Sequence, residues 1–502
     1  MKDNIKLNQN PLVQFLNKPK SDFTKDDIIS YIEAEEIKMV NFRYVGGDGR
    51  LKVLNFVIND KKYLDTILSA GERVDGSSLF KYIEAGSSDL YVVPKYRTAF
   101  LNPFSNIKTL DILCSYFNKD GEPLEMSPDN ILHKASRVLK ERTGYSFETM
   151  GELEYYVISS EEGNEYKAVD QRGYHESSPF SKFGDFRTEA MLAIAQCGGN
   201  IKYGHSEVGN FTIGNTLYEQ NEIEFLPVDI EDSADQLVVA KWVLRNLAWQ
   251  YGYDLTFSPK ITTGKAGSGL HIHTRLMKNG KNAMLDRYGK LSDAAKKAIA
   301  GYLTLAPSLT AFGNTNPTSY FRLVPNQEAP TKICWGDRNR SVLVRVPLGW
   351  TSNKSMSAMV NPLEDVKHEN FSEKQTVEFR VPDGSADLHS LIAGLTVAAR
   401  YGLEMPNALE YAEKTYADVD IFSEAFKDKL GKLEQLPTCC VESAEWLKKQ
   451  ANIYEQYGVF SPTMIKGTID QLKAFKDKDL YQKVSKDESK MMDLVEKYFY
   501  CG

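Results

Sequence analysis

The chain has 502 residues, 42% hydrophobic and 26% charged, and 61 Lys and Arg against 68 Asp and Glu leave a formal charge of −7. That is the composition of a globular protein of two or three domains, and its mildly acidic balance gives no basis for affinity to nucleic acid or anionic membrane. Six cysteines without a CxxC spacing make neither a disulfide framework nor a zinc finger. With no secretory leader and no apolar run of membrane-spanning length, a cytoplasmic location is expected.

Residues 1–23 are polar and include Pro11 and Pro19, which predicts a loosely ordered arm. A short helical pattern over 26–36 precedes two strand-like segments, 40–44 and 51–58, joined by a glycine-rich turn at 46–49, so the pair reads as a hairpin. Strand-like pieces continue to about residue 116, with a loop at Asp75-Gly76-Ser77-Ser78. The turn at 118–123 marks a boundary between a small domain (24–118) and a large one (119–502). In the large domain the clearest helix is predicted over 233–252. Ser233 and Gln236 have capping-box spacing, Leu237, Leu244, Leu247, Ala248 and Tyr251 share a face, and Gly252 stops it. Trp242 and Trp249 recur on that helix at core spacing. A second helix is predicted over 385–402, and a Lys- and Glu-rich helical tail follows from about residue 411. The adjacent Cys439 and Cys440 read as ordinary thiols.

Alternate side chains of a strand point to opposite faces. Five segments use this in one way: Glu152 and Glu154 oppose Leu153 and Tyr155; Glu222 and Glu224 oppose Ile223 and Phe225; His271, His273 and Arg275 oppose Leu270 and Ile272; Arg345 opposes Val344 and Val346; Glu378 and Arg380 oppose Phe379 and Val381. A one-sided antiparallel sheet ordinarily turns such a face to water. Solvent faces favour lysine and threonine, however, and these positions carry carboxylate, imidazole and guanidinium. Paired carboxylates repel unless a cation lies between them, and oxygen-rich ligation with little sulfur favours Mg²⁺ or Mn²⁺. Arginines beside such metals suit anions, a combination that suggests phosphoryl transfer. No GxxxxGKS loop and no GxGxxG before a helix is present.

These segments resemble the glutamine synthetase family of bacterial type. Val74-Asp75-Gly76-Ser77-Ser78 resembles its FDGSS loop, Gly151-Glu152-Leu153-Glu154-Tyr155 its ExE strand, and Gly267-Ser268-Gly269-Leu270-His271-Ile272-His273 its GSGMHxH signature. The stretch from Asn316 to Pro325, then Glu328-Ala329-Pro330, resembles NPTxNSYKRLVPGxEAP; Asn339-Arg340-Ser341, Arg345-Val346-Pro347 and Glu378 to Asp383 complete the order. The resemblance implies an α+β fold, with a small N-terminal β-grasp domain and a larger catalytic domain built on a curved antiparallel sheet flanked by helices. It implies a ligase that uses ATP and two or three Mg²⁺ or Mn²⁺ per site to join glutamate and ammonium through γ-glutamyl phosphate. It also implies a ring-shaped, dodecamer-like homo-oligomer whose sites are shared between subunits. Glu154, Glu207 and Glu222 resemble the ligands of one metal, and Glu152, His271 and Glu378 those of the other. His273 and Arg345 would contact ATP phosphates. Gly267, Arg322, Arg380 and Tyr174 would bind the amino acid or line its site, and Asp75, Glu328 and Arg340 would act in catalysis, Asp75 in a neighbour's site.

Some positions depart from the family pattern. Ala266 replaces an asparagine that helps bind the amino acid, Thr376 replaces an arginine two residues before Glu378, and Arg275 replaces the serine of HxHxS near the nucleotide. Ser206 replaces the second histidine of HHE, residues 210–217 look inserted, and Asp387-Leu388-His389 stands at an NPY segment. The changes spare the metal set and fall on the amino-acid and nucleotide subsites. Two other readings therefore stay open, a γ-glutamyl ligase for another amine and a non-catalytic regulatory paralogue.

Overall fold

The computed structural model describes residues 5–83, 88–162, 165–324, 329–347, 349, 354–366, 372–417, 431 and 433–502. Six strands form the smaller sheet: β1 (Met39–Val45), β2 (Leu51–Val57), β3 (Glu72–Asp75), β4 (Asp89–Pro94), β5 (Phe100–Leu101) and β6 (Thr109–Phe117). They run in the order β2-β1-β6-β4-β3, with β5 added to β6. The hairpin β1–β2 is in register from Met39 opposite Val57 to Val45 opposite Leu51, and Gly49 takes a φ of 76° in its turn. Val40 and Phe42 bury one face against Ile28, Ile32, Leu64 and Ile67 of the helices Lys25–Ala34 and Lys61–Ala70. The N-terminal stretch is not loose from residue 5 onward. Asn10 caps a helix at Pro11–Leu16, and Leu12 and Val13 join the same core, because two large aliphatic side chains outweigh the polar residues around them.

The other face of β1 is polar and also covered. Asn41 and Arg43 both donate to the buried Asp111, at 2.8 and 2.6 Å, and Arg43 stacks over Trp242 of the larger unit. Beside them Lys95 reaches Asp235 at 2.8 Å, Arg97 contacts Glu231 and Asp232, and His389 meets Asp235 at 3.1 Å. A seam of paired charges thus joins the two units.

The larger sheet has ten strands: β7 (Ser146–Ser160), β8 (Ile201–Ile213), β9 (Thr216–Phe225), β10 (Val228–Asp229), β11 (Asp254–Thr256), β12 (Leu270–Lys278), β13 (Lys281–Asn282), β14 (Trp335–Asp337), β15 (Val344–Val346) and β16 (Val377–Phe379). Its path is β14-β15-β16-β12-β7-β9-β8, so the five charged segments are consecutive neighbours. All these pairs are antiparallel except β14–β15. The apolar face packs on the helices Ile230–Tyr251, Asp293–Gly313 and Leu388–Glu404. The last two cross so closely that a Cβ on Gly301 would lie 1.9 Å from the Ala398 carbonyl.

The first of these helices starts one turn before the predicted position. Asp229 caps it, and Ser233 and Gln236 are buried inside it rather than at its end. Gly252 closes it with a φ of 71°. Trp249 is 79% exposed, because the helical turn carries it off the face of Leu244 and Leu247; Tyr251 is also exposed. Trp242 keeps to the interior against Phe100 and Phe104. The tail supplies helices at Cys440–Glu455, Pro462–Lys473 and Glu488–Tyr498, and Cys439 and Cys440 are buried free thiols. Arg50 of the small unit donates to the Tyr500 carbonyl and Arg245 of the large one to that of Cys501. Among the described residues no helix is long and apolar enough to cross a membrane.

Burial works to raise the pKa of Asp235, but Lys95, the His389 hydrogen bond and Arg97 outweigh it and hold it below the usual carboxylate range. A depressed folded pKa means that its contribution is complete at neutral pH and is lost only as acid protonates the folded form. Asp235→Asn strands Lys95 and is expected to cost about 3 kcal/mol. Denaturant unfolding checks it; an unchanged midpoint would show that the seam adds nothing.

Candidate active site

The charged face of the larger sheet does not meet bulk water as an open surface; it walls a cavity of about 1460 Å³. Strand register decides which groups meet there. Glu152 lies opposite His271 on one side and Glu224 on the other, Glu154 opposite Glu222, and Glu378 between His273 and Arg345. Period two then turns all of these side chains the same way.

At the centre, His271 Nδ1 lies 2.9 Å from Glu152 Oε2 and 3.4 Å from Glu378 Oε1. His273 Nε2 lies 2.8 Å from Glu152 Oε1, and its Nδ1 2.8 Å from the Thr376 hydroxyl. Arg345 Nη1 and Arg380 Nε donate to the two oxygens of Glu378 at 2.8 and 3.0 Å. The opposite end is acidic. Glu154 accepts from the Gly269 amide and Gln220, while His205 lies 3.7 Å from Glu207 and 3.4 Å from Glu222. Lys202 donates to Glu224 at 2.6 Å. Ligand-type atoms of Glu152, His273 and Glu378 lie within 4.8 Å of one another, as do those of His205, Glu222 and Glu224.

The two ends differ electrostatically. Burial tends to raise Glu152, but His273 and His271 override it and hold the carboxyl well below its ordinary range. At the acidic end nothing overrides burial: Glu207 is pushed up to about 8 by desolvation and then by Glu154. Glu222 is pushed well above its ordinary value by desolvation and by the charges of Glu152, Glu154 and Glu207. Buried carboxylates that repel one another are what a hard divalent cation would stabilise, and oxygen donors with imidazole are the ligands it takes. The residues present fit such ions.

Every candidate residue predicted from sequence lines this cavity except two. Glu328 lies outside the described residues. Asp75 ends β3 and caps the short helix Gly76–Leu79, where Ser77 and Ser78 donate to its carboxylate, and it is not part of its own chain's cavity. Arg322 is buried in the wall and donates to the Val381 and Pro382 carbonyls. A Cβ on Gly269 would lie 2.5 Å from Arg322 Nη2 and 3.1 Å from His271 Nε2, so glycine is required for both to approach. Gly267, Arg340 and Tyr174 lie on the rim and wall, and Tyr174 stacks on His175. The grouping differs in one respect. His273, predicted to face phosphates, sits in a trio with Glu152 and Glu378, and His271 touches both acids. His205 and Glu224 were not singled out as site residues, although each sits two positions along its strand from a chosen glutamate. Residues 210–217 form the outer end of the β8–β9 hairpin, with Ile213 opposite Thr216.

Residues 36–119 match the glutamine synthetase β-grasp domain and residues 125–492 the glutamine synthetase catalytic domain. Glutamine synthetase of Streptomyces coelicolor is 30% identical over 478 residues, spanning 89% of this chain and 94% of the relative. That of Frankia alni is 29% identical, spanning 88% and 94%. A Plasmodium falciparum glutamine synthetase structure superposes with a TM-score of 0.74 at 20% identity, covering 92% of this chain and 97% of that one. A GmaS–ADP complex gives 0.72 at 17% identity, covering 91% and 99%. Fold, cavity and sequence together define an ATP-dependent carboxylate–amine ligase. Members of its class use ATP and divalent metals. The chain belongs to the glutamine synthetase family.

His271 lies against Glu152 and Glu378 at the centre of the cavity and is not part of the hydrophobic core. His271→Ala is expected to abolish turnover and to weaken Mn²⁺ binding at least tenfold with little change in melting temperature. Mn²⁺ titration by electron paramagnetic resonance reads the binding directly; unaltered affinity would remove His271 from the ligand set.

Proposed function

We propose that this enzyme makes glutamine from glutamate and ammonia. The γ-carboxylate of glutamate takes the terminal phosphoryl group of ATP, and ammonia displaces phosphate from the resulting γ-glutamyl phosphate. The observation that carries this reading is the convergence of all six metal-ligand candidates on one cavity with Arg322, Arg340, Arg345 and Arg380 around them. Glu154, Glu207 and Glu222 would hold one Mg²⁺ or Mn²⁺, and Glu152, His271 and Glu378 another, with room in the family pattern for a third. Such ions supply neutralisation of the charge that gathers on the transferring phosphoryl group.

The chain's own groups do the rest. Arg345 and His273 bind phosphate oxygens, the hydrogen bonds from Arg345 and Arg380 fix Glu378 in direction, and His273 and Arg380 hold its carboxyl below the ordinary value against burial and the charge of Glu152. Arg322 and Arg340 hold the substrate carboxylate and the phosphoryl group, Gly267 and Tyr174 shape the amino-acid and ammonium sites, and the role proposed for Glu328 is to help take a proton from ammonium. Asp75 is exposed in its own chain and would complete the ammonium site of a neighbour in a ring-shaped homo-oligomer. The location would be cytoplasmic.

A second reading, transfer of the γ-glutamyl group to a larger amine, is favoured by one feature. Ala266 is buried in the cavity wall with its amide and carbonyl engaged by Gln171 at 2.7 Å and Tyr156 at 2.9 Å, and its methyl group has no hydrogen bond to offer an amino acid.

Phosphate release with ATP and glutamate, with ammonium set against a panel of amines, separates the two. Ammonium is expected to be the best acceptor; a tenfold preference for an organic amine would favour the second reading. If glutamate and ammonia are the substrates, Ala266→Asn is expected to lower the KM for glutamate about fivefold, the worth of one hydrogen bond. Damage to the preferred reaction by that change would point to the larger substrate.

Site sharing has its own test. Inactive Asp75→Ala and inactive Glu378→Ala subunits, mixed and reassembled, are expected to regain activity because some interfaces combine two intact halves. Verified mixed oligomers without activity would count against a shared site.

A further inference from the structure

One side chain ties together parts of the acidic end that are far apart in the sequence. Gln220 lies on β9, opposite Tyr156 of β7 and two residues from Glu222, and it is 1% exposed in the wall of the cavity. Its Nε2 donates to Glu154 Oε2 at 3.0 Å and to the Gly267 carbonyl at 2.9 Å, with the Ser268 hydroxyl at 3.3 Å. Its Oε1 accepts from the Gly209 amide at 2.9 Å. A carboxylate and a carbonyl can only accept and a backbone amide can only donate, so these partners fix which end of the side-chain amide points which way.

On the β7 side the effect is on Glu154. Its Oε2 takes both the Gln220 bond and one from the Gly269 amide at 2.7 Å. Oε1 is left toward the cavity, 4.0 Å from His271 Nε2, so the carboxylate presents one oxygen in a set direction. On the β8 side the effect is on Glu207. Ser206 pairs with Asn221 and Asn210 with Glu219, so residues 207–209 stand opposite Gln220 alone. Such a bulge takes backbone groups off the ladder and re-aims side chains. The Gly209 amide that it frees goes to the Gln220 side chain instead. No larger residue fits there, since a Cβ on Gly209 would lie 2.0 Å from the Tyr156 hydroxyl and 2.6 Å from Gln220 Oε1. Glu207, within the bulge, lines the cavity with Glu154 and Glu222.

We propose that Gln220 is a positioning residue of the metal site at this end: its one buried amide turns a single oxygen of Glu154 toward the ion and closes the bulge that brings Glu207 to the same ion. The inference rests on the ligand assignment made above for Glu154, Glu207 and Glu222, and adds to it the group that holds two of these in place. The bond to Gly267 also ties the loop proposed to bind the amino acid to the metal site. Glu154 works with desolvation to push the Glu207 carboxyl up, and carboxylates that repel in this way would swing apart if free to turn. Gln220 holds them before a cation arrives, so less of the binding energy is lost to ordering them.

Mn²⁺ titration of the intact enzyme, followed by electron paramagnetic resonance, tests this without turnover. Gln220→Met keeps the volume and removes the hydrogen bonds. It is expected to weaken one bound ion about tenfold or more, the usual effect of losing a group that orients a ligand, and to leave the other within about threefold. Tyr156→Phe is the control for mere loosening. It removes the hydroxyl bond to the Ala266 carbonyl, next to the same loop, and no bond to Glu154 or Glu207, so both ions are expected to stay within about twofold of the parent. Should Gln220→Met fail to fold, Gln220→Asn, one carbon too short to reach Glu154 and Gly209 together, carries the same expectation. If the Gln220 variants bind both ions like the parent, if both ions weaken alike, or if Tyr156→Phe weakens the same ion as much, the positioning role is refuted while the ligase reading stands. If the parent binds fewer than two Mn²⁺ per subunit, the ligand assignment falls with it.

Discussion

Repulsion among buried carboxylates is the constraint around which the rest of this molecule is arranged. Glu152, Glu154, Glu207, Glu222, Glu224 and Glu378 share one wall, and no such cluster survives burial unless positive charge is brought to it. At the β15–β16–β12 end the chain supplies that charge itself, through His273, Arg345 and Arg380. At the β8–β9 end it supplies less: Lys202 reaches Glu224, and Glu207 and Glu222 are left to be protonated or to gather cations. The division into a self-neutralised half and a cation-seeking half follows from which strand neighbours which.

The same economy governs the seam between the units. A sheet covered on both faces is expected to bury apolar side chains on both, yet β1 offers Asn41 and Arg43 to the interface. They are tolerated because Asp111 accepts from both and Trp242 covers the guanidinium. Polar pairing also sets direction, since Lys95, Arg97 and Asp235 meet in only one docking geometry. The small unit is held at a fixed orientation to the large sheet, which in turn fixes where Asp75 is presented.

How much of this could be read in advance depended on the range of the interactions. Alternation along a strand is local, so the charged faces at Glu152 and Glu154 or His271 and His273 were legible in the sequence, whereas the α+β class came from the resemblance of whole motifs to a known family. Register across strands is not local. That His273 would sit with Glu152 and Glu378, and that His205 would lie between Glu207 and Glu222, needed the pairing of strands far apart in the chain. Helix ends failed for a related reason. Ser233 had the spacing of a cap, but Asp229 four residues earlier won because the β10 strand delivers the chain there. The N-terminal stretch misled because Leu12 and Val13 were too few to outweigh its polar composition on paper, although they suffice once a core is nearby.

The contact between the helices Asp293–Gly313 and Leu388–Glu404 has a mechanical consequence. Backbone meets backbone at Gly301 and at Gly402, where an added Cβ would lie 2.0 Å from the Lys297 carbonyl. Tyr302 of the first helix bonds Thr274 of β12 and packs on Phe379 of β16. Two rods seated that tightly, and pinned to the strands in front of them, cannot slide or part without breaking several contacts at once. The β12–β16 side of the cavity is therefore an anvil. A rearrangement of the cavity cannot begin at this corner, where strand and helix would have to move as one piece.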